Sequence, residues 1–424
     1  MTILCGTDLS EASSGALEVA LALAAQRGDR EIALVHVIDP ESGGTSAERE
    51  EAIDRGRTEL EALVGGRSGA ITIKSELIVG PPHATLVSYA ETEGCDLIVI
   101  AARSTSGGSL LRLGTTAEHV VARAHVPVLI VRDPAPWLAF TRGERPLRML
   151  LGIDDSAACD LGIQWVHALR SRGPIDLVLG AIYYPDDASE QYGIHAKAMV
   201  DRDPEIERLM SRDLLHRYGT DEGKGTLSAR PKRGLGRVGD HVIELAREEA
   251  VDVIVIGTSQ KTGLGRLGSV STVIVHDAPQ SIVCVPPNTA VAITALPSLR
   301  TVLVATDLSP FANRAVPYAF ALTGPGGDVH VVTVVKDDAE IDDAEVTRSL
   351  LALTPTGATH KVTTHIVRGD DAAIALAQAA ARLGVDVVCI ASHGRSGITR
   401  ALVGSVADRL LHATHVPVLV LRPS

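Results

Sequence analysis

Three stretches of the chain repeat one pattern: ILCGTDLS (residues 3–10), MLLGIDDS (149–156) and VLVATDLS (302–309). Each is an apolar run that ends in Asp-x-Ser, giving Asp8/Ser10, Asp154/Ser156 and Asp307/Ser309. Working outward, each is followed by a second apolar run: CDLIVIAA (95–102), VDVIVIGT (251–258) and VDVVCIAS (385–392). Next comes a glycine-containing loop and a helix start: LGTTAEHVV (113–121), LGSVSTVIV (267–275) and VGSVADRLL (403–411). Each copy closes on VPVLIVR (126–132), QSIVCVP (280–286) or VPVLVLR (416–422). The spacing is about 140–150 residues, the size of a domain rather than of a solenoid unit. The chain is one unit written three times, with domains expected over 1–133, 146–287 and 299–424.

Within a unit, strands alternate with helices. In the third, TVLVATD (301–307) reads as a strand and PFANRAVPYAFALT (310–323) as a helix that Pro317 would kink. VHVVTVV (329–335) and HKVTTHIV (360–367) read as strands. AAIALAQAAARLG (372–384) is an Ala-rich helix stopped by Gly384. This order argues right-handed βαβ crossovers and an α/β fold, with open, mostly parallel sheets flanked by helices. The nearly uninterrupted apolar strands fit sheets buried on both faces. The linkers RDPAPWLAFTRGERP (132–146) and PPNTAVAITALPS (286–298) carry prolines, which favour extended connections. Their apolar residues Trp137, Leu138, Phe140 and Ile293 should lie against a domain surface.

Composition narrows the function classes. The 424 residues suffice for about three domains. Aromatics are only 3 %, so the core must be built from Val, Ile, Leu and Ala. The net charge of −12 argues against a nucleic-acid partner, which needs clustered Lys and Arg. No apolar run approaches a membrane span. The start, MTILCGTDLS, does not read as a signal peptide. Cys5, Cys95, Cys159, Cys284 and Cys389 show no metal-ligand spacing and read as small buried hydrophobes in a reducing, cytoplasmic compartment.

GLGRVG (234–239) and GLGRLG (263–268) both match the dinucleotide-binding string G-x-G-x-x-G. They occupy different slots of one unit and recur in neither of the others. A dinucleotide fingerprint belongs after the first strand, near Asp8, Asp154 or Asp307, where it is absent. SGGS (106–109) follows the wrong strand for an adenylating loop. A nicotinamide dehydrogenase is therefore rejected.

What does recur is a Gly-Ser or Gly-Thr pair opening the helix after the fourth strand: Gly114-Thr115, Gly268-Ser269 and Gly404-Ser405. A helix N-terminus offers free N–H groups and positive dipole to an anion, or is simply capped by the hydroxyl. In the third unit the preceding loop reads Ala391-x2-Gly394-x9-Gly404-Ser405, with small residues that let backbone amides approach an anion. Together with the Asp-x-Ser start, SHGRSG (392–397) and the terminal VPVLV, this resembles the universal stress protein family, over nearly the whole chain.

That resemblance implies five-stranded sheets of order 3-2-1-4-5. It also implies ATP or another adenine nucleotide across the carboxyl ends of the strands, with Mg²⁺ sharing the phosphate charge. Carried over by position, Asp307 would hold the adenosine end, Val334 would lie beside adenine, and Ala391, Gly394, Gly404 and Ser405 would form the phosphate loop. Ala391 stands where the family has glycine. The first unit matches at Asp8 and Val37, with a loop of Ala101, Ser104, Gly114 and Thr115 that has lost two glycines. The second matches at Asp154 and Ile182 and keeps Gly257. Gln260 replaces its second glycine, and its spacing to Gly268 and Ser269 is two residues short. The third unit thus keeps the pattern best.

The resemblance further implies pairing of final strands about a two-fold axis. The first two units would satisfy each other, leaving the third to form a homodimer. Nothing resembles a committed base for attacking water, so any hydrolysis should be slow. The rival reading is a tandem scaffold for protein interactions that no longer binds nucleotide.

Overall fold

A computed structural model of the chain describes residues 2–40, 45–65, 71–102, 113–154, 156–194, 203–220, 223–258, 270–287, 299–391 and 405–421. The chain divides into two compact units, Met1–Tyr183 with Arg217–Ala292, and Tyr184–His216 with Ile293–Ser424.

The first unit holds the first repeat and all the strands of the second, whose segment Tyr184–His216 clusters with the other unit. In the first, the order is β1 (Ile3–Thr7), α1 (Glu11–Arg27), β2 (Glu31–Ile38), α2 (Ser46–Gly65), β3 (Thr72–Val79), α3 (Pro82–Thr92), β4 (Leu97–Ala101), α4 (Thr115–Arg123) and β5 (Val128–Val131). After the linker helix α5 (Ala135–Thr141), the second repeat runs β6 (Leu147–Ile153), α6 (Ala157–Arg170), β7 (Ile175–Tyr183), α7 (Pro185–Tyr192), α8 (Pro204–Tyr218), β8 (Leu227–Arg233), α9 (Val238–Glu248), β9 (Val253–Gly257), α10 (Val270–Asp277) and β10 (Ser281–Val285). All strands form one ten-stranded sheet, ordered β3-β2-β1-β4-β5-β10-β9-β6-β7-β8. Each half has the order 3-2-1-4-5 and is parallel throughout. The halves join where β5 and β10 run antiparallel, with Val283 opposite Leu129. Every residue of these two strands is buried. Arg132 strengthens the join by donating from Nη2 to the Val275 carbonyl (2.9 Å) at the end of α10.

The second unit contains the third repeat, β11 (Thr301–Ala305), α11 (Ala315–Thr323), β12 (Asp328–Val335), α12 (Asp343–Leu351), β13 (Lys361–Arg368), α13 (Ala372–Leu383), β14 (Val387–Ala391), α14 (Ser405–Ala413) and β15 (Val418–Leu421). Its sheet order, β13-β12-β11-β14-β15, is again 3-2-1-4-5. Here β15 lies at the edge, and all four of its residues are half-buried rather than buried.

Two local expectations need correction. The linker 132–146 is not extended, because residues 135–141 coil into α5 behind Pro134, which fits a helix start. That coil is what lets Trp137 and Phe140 bury together. Likewise, the helix expected over 310–323 begins with a 3-10 turn, Ala312–Arg314, and Pro317 falls in the first turn of α11. A proline there lacks an N–H that would have no intrahelical partner, so it kinks nothing. The linker 286–298 lies largely outside the described residues.

Candidate functional site

The recurrent Asp-x-Ser has a structural cause first. Ser10 caps α1 by accepting from the Ser13 N–H, and Ser156 caps α6 by accepting from the Cys159 N–H. The aspartates accept from the serine N–H two residues on: Asp8 Oδ1 at 3.1 Å, Asp154 Oδ1 at 3.1 Å and Asp307 Oδ1 at 2.9 Å. Between them, Leu9 and Leu308 are held at φ 64 and φ 65, a left-handed conformation that a leucine adopts at a cost of about 1–3 kcal/mol. The Thr7 and Thr306 hydroxyls accept from those leucine N–H groups (3.0 and 2.9 Å) and help impose the turn. Such strain belongs at places where a backbone must be held for a ligand.

In the first repeat this turn forms the rim of a cleft of about 240 Å³. Parallel β1 and β4 lie side by side, so Asp8 and Ala101 both emerge at their carboxyl ends. Val35 and Val37 of β2 form one wall, and Pro82 and Leu86 of α3 another. Gly114, Thr115, Thr116 and Ala117 bring in the N-terminus of α4. Gly6 forms the floor: a Cβ there would lie 3.0 Å from the Leu86 side chain and 3.1 Å from that of Ile100, a close fit that glycine eases, though the third repeat carries Ala305 at the corresponding position. Gly114 is the N-cap of α4 and offers no side-chain cap. The first turn of α4, whose N–H groups have no intrahelical partner, lines the cleft.

Five of the residues singled out in the sequence of the first repeat, Asp8, Val37, Ala101, Gly114 and Thr115, thus share one cleft. Ser104 lies outside the described residues. In the second repeat Asp154 follows β6, Ile182 lies on β7 and Gly257 ends β9. Gly268 and Ser269 lie outside the described residues. In the third, Asp307 follows β11, Val334 lies on β12, Ala391 ends β14 and Ser405 opens α14, while Gly394 and Gly404 lie outside.

Gly257 also has a packing cause: its Cβ would sit 2.8–2.9 Å from Ala158 and the Cys159 N–H, where α6 crosses β9. The GLGRVG string is explained the same way. Gly239 admits Val273 of α10 against α9, with a would-be Cβ contact of 2.8 Å. Sequence reasoning missed Thr7, Ser13, Pro82, Leu86 and Thr116. The threonine had left a signal, since GTD and ATD share it. All five cysteines are buried and none is in a disulfide. Burial pushes the Cys284 and Cys389 thiols up to about 12 and Cys95 to about 11, so none of these three is poised as a nucleophile. Among the described residues no group of three or more His, Cys, Asp or Glu gathers as metal ligands.

A family model for universal stress proteins matches residues 1–132, 147–286 and 298–422. The chain belongs to the universal stress protein family. One relative, universal stress protein MJ0531 of Methanocaldococcus jannaschii, is 29 % identical over 140 residues, covering 31 % of this chain and 82 % of that protein. In some mycobacterial relatives the match spans 49 % of their length. A universal stress protein structure from Archaeoglobus fulgidus superposes with a TM-score of 0.50 at 18 % identity, over 68 % of this chain and 98 % of that one, and shares the fold. Another universal stress protein was solved in complex with cAMP (TM-score 0.26, 23 % identity, 30 % of this chain and 100 % of that one). No described helix is long and apolar enough to cross a membrane.

Proposed function

We propose that this universal stress protein binds an adenine nucleotide, ATP above all, and acts as a nucleotide-dependent sensor or regulator. The observation that carries the reading is the cleft of the first repeat, where Asp8, Val37 and the uncapped N-terminus of α4 converge. The phosphates would lie on the N–H groups of α4, the base against Val37, and the ribose towards Asp8. The third repeat, whose loop keeps most glycines, is proposed as a second site. With no acidic cluster among the described residues, a magnesium ion would take its ligands from phosphate oxygens, water and hydroxyls such as Thr115. None of the five buried cysteines is in a disulfide, which favours a cytoplasmic location. Adenine absorbance in acid-quenched purified protein, followed by calorimetric titration with ATP, tests the reading. Fewer than three sites per chain are expected. Neither bound adenine nor measurable ATP binding would leave the scaffold reading instead.

We further propose a homodimer through β15. Its counterparts β5 and β10 cover each other's edges, whereas β15 presents a half-buried edge that invites pairing. An antiparallel contact between two copies of β15 would repeat the β5–β10 geometry and close about a two-fold axis. A wild-type chain that runs as a monomer in light scattering at tens of micromolar overturns this.

A further inference from the structure

Ser13, in the first turn of α1, is 2 % exposed, and its hydroxyl is the centre of a relay. It donates to the Ser10 carbonyl at 2.9 Å and lies 2.9 Å from the Thr7 hydroxyl. Thr7 Oγ1 in turn accepts from the Leu9 N–H at 3.0 Å. The relay has one polarity. A carbonyl only accepts, so the single hydrogen of the Ser13 hydroxyl goes to Ser10, and the Thr7 hydroxyl must be the donor to Ser13. The Ser13 N–H also donates to Ser10 Oγ at 3.3 Å.

This relay encloses Asp8. Thr7 precedes it, Leu9 and Ser10 follow it, and all three are held through Ser13. Asp8 itself is exposed, so its place on the rim of the first repeat's cleft depends on these neighbours. Leu9, at φ 64, keeps its strained turn only while its N–H holds the Thr7 oxygen. From β2, His36 Nδ1 meets the Thr7 carbonyl at 2.9 Å and steadies the same residue from the other side.

The other repeats show what the relay decides. In the third, Thr306 Oγ1 again accepts from a leucine N–H, that of Leu308 at 2.9 Å, and donates to Asn313 Oδ1 at 2.7 Å. In the second, Ile153 and Cys159 stand where Thr7 and Ser13 stand, and the Cys159 thiol donates to the Gly152 carbonyl at 3.8 Å. There the Ser156 hydroxyl turns onto Asp154 Oδ1 at 2.6 Å, whereas the Ser10 hydroxyl reaches Ser13 Oγ at 3.4 Å. We propose that Ser13 is a positioning residue for the nucleotide cleft of the first repeat: by accepting from Thr7 and holding Ser10, it fixes the turn that sets Asp8 against the ligand. This rests on the nucleotide reading above. Because Thr7 and Ser13 also line the cleft, the rival role is direct contact with the nucleotide.

The test uses the full chain and follows the ATP site that Gly114→Asp removes. Ser13→Ala breaks the relay but leaves the residue 13 N–H to the Ser10 cap, so α1 keeps its start. Without ligand, exchange of the Leu9 amide should quicken about tenfold or more. The dissociation constant for ATP at that site should rise about fivefold; Thr7→Val should do the same, and Thr7→Ser should recover most of the change. In a chain that already carries Asp8→Ala, Ser13→Ala should weaken ATP no further, because residues that act as one unit do not add. An equal loss with and without Asp8 would mean that Ser13 meets the nucleotide directly, and would overturn the proposal. Faster exchange with unchanged affinity would make the relay merely structural and overturn it too. Unchanged exchange would overturn the relay itself. A wild-type chain with no ATP site that Gly114→Asp removes would overturn the nucleotide reading of the first repeat, and the positioning role with it, whatever the exchange shows.

Discussion

Replacing Gly114 by Asp should make the protein slightly more stable and at the same time disable the first repeat's cleft. Gly114 sits at φ −69 and ψ 147, an extended conformation open to any residue. Among the described residues, the nearest atom to a Cβ there is the Ala102 carbonyl oxygen at 3.6 Å, an ordinary contact. Aspartate is among the best N-caps, and its gain over glycine is a few tenths of a kcal/mol. The same carboxylate would accept from the N–H groups of α4 that an anion needs. Hydrogen bonds to a charged group are worth about 1.5–3 kcal/mol each, so losing two removes at least about 3 kcal/mol of binding, roughly a hundredfold. Like-charge repulsion adds to that. Calorimetric titration with ATP should show one site fewer per chain, while thermal unfolding without ligand should be unchanged or slightly raised. Full ATP stoichiometry at wild-type affinity would refute the placement of the phosphates on α4. A large fall in melting temperature would refute the claim that Gly114 is free to be replaced.

Three further outcomes follow from the structure. Gly257→Ala should cost about 1–3 kcal/mol in denaturant unfolding, because the methyl group meets the backbone at the start of α6; an unchanged midpoint would show that α6 yields freely. In the third repeat, His330 Nδ1 and His365 Nε2 lie 3.0 Å apart, and burial first, then neighbouring charge, lowers both from the ordinary value of 6.5. His365, Lys361 and Arg382 disfavour their protonation and Asp328 partly offsets it, so the unfolded chain takes up protons that the folded chain refuses. Stability should hold above pH 6.5 and fall as pH drops below it, and His330→Gln/His365→Gln should flatten the melting profile between pH 7.5 and 5; equal profiles for both chains would discount the pair. Finally, Val418→Lys with Val420→Lys should convert a dimer to monomers; because both valines also pack on the core of the repeat, only a loss of dimer with a retained far-ultraviolet spectrum counts as support, and a folded, persisting dimer would place the interface elsewhere.

The strands were legible because each is an apolar run bounded by punctuation that recurs three times; their order, 3-2-1-4-5, came from the family resemblance that those motifs carry. TVLVATD, CDLIVIAA and VPVLIV could be matched across copies without knowing any contact. The cleft was half legible. Asp8, Val37, Ala101, Gly114 and Thr115 carry the family pattern, but Pro82 and Leu86 enter from α3, which nothing in the local sequence ties to the site. Gly257 could not be told apart from a phosphate-loop glycine by sequence, since the clash that requires it is with backbone far earlier in the chain, at Ala158 and Cys159. The arm of residues 184–216 was illegible for the same reason. Its helices look like an ordinary crossover, and only their contacts with α13, at Glu190 with Gln378 and at Arg212 with the Ala381 and Arg382 carbonyls, show where it belongs.

The three aspartates deserve less functional weight than their recurrence invites. Each accepts from the serine two residues on, and each serine then accepts from an N–H at the start of the following helix or turn. A pair with that local task would persist in a repeat that had stopped binding anything. Asp154 shows the point, since it also accepts from the Ser156 hydroxyl at 2.6 Å in the repeat whose phosphate-loop spacing departs furthest from the family pattern. Asp154→Ala should therefore destabilise the start of α6 by about 0.5–2 kcal/mol through the lost cap geometry. It should do so equally with and without ATP. The same substitution at Asp8 should cost similar stability, and in addition should weaken ATP binding to the first repeat. Equal effects of ATP on the two variants would mean that the cleft of the first repeat has no more claim to the nucleotide than the second.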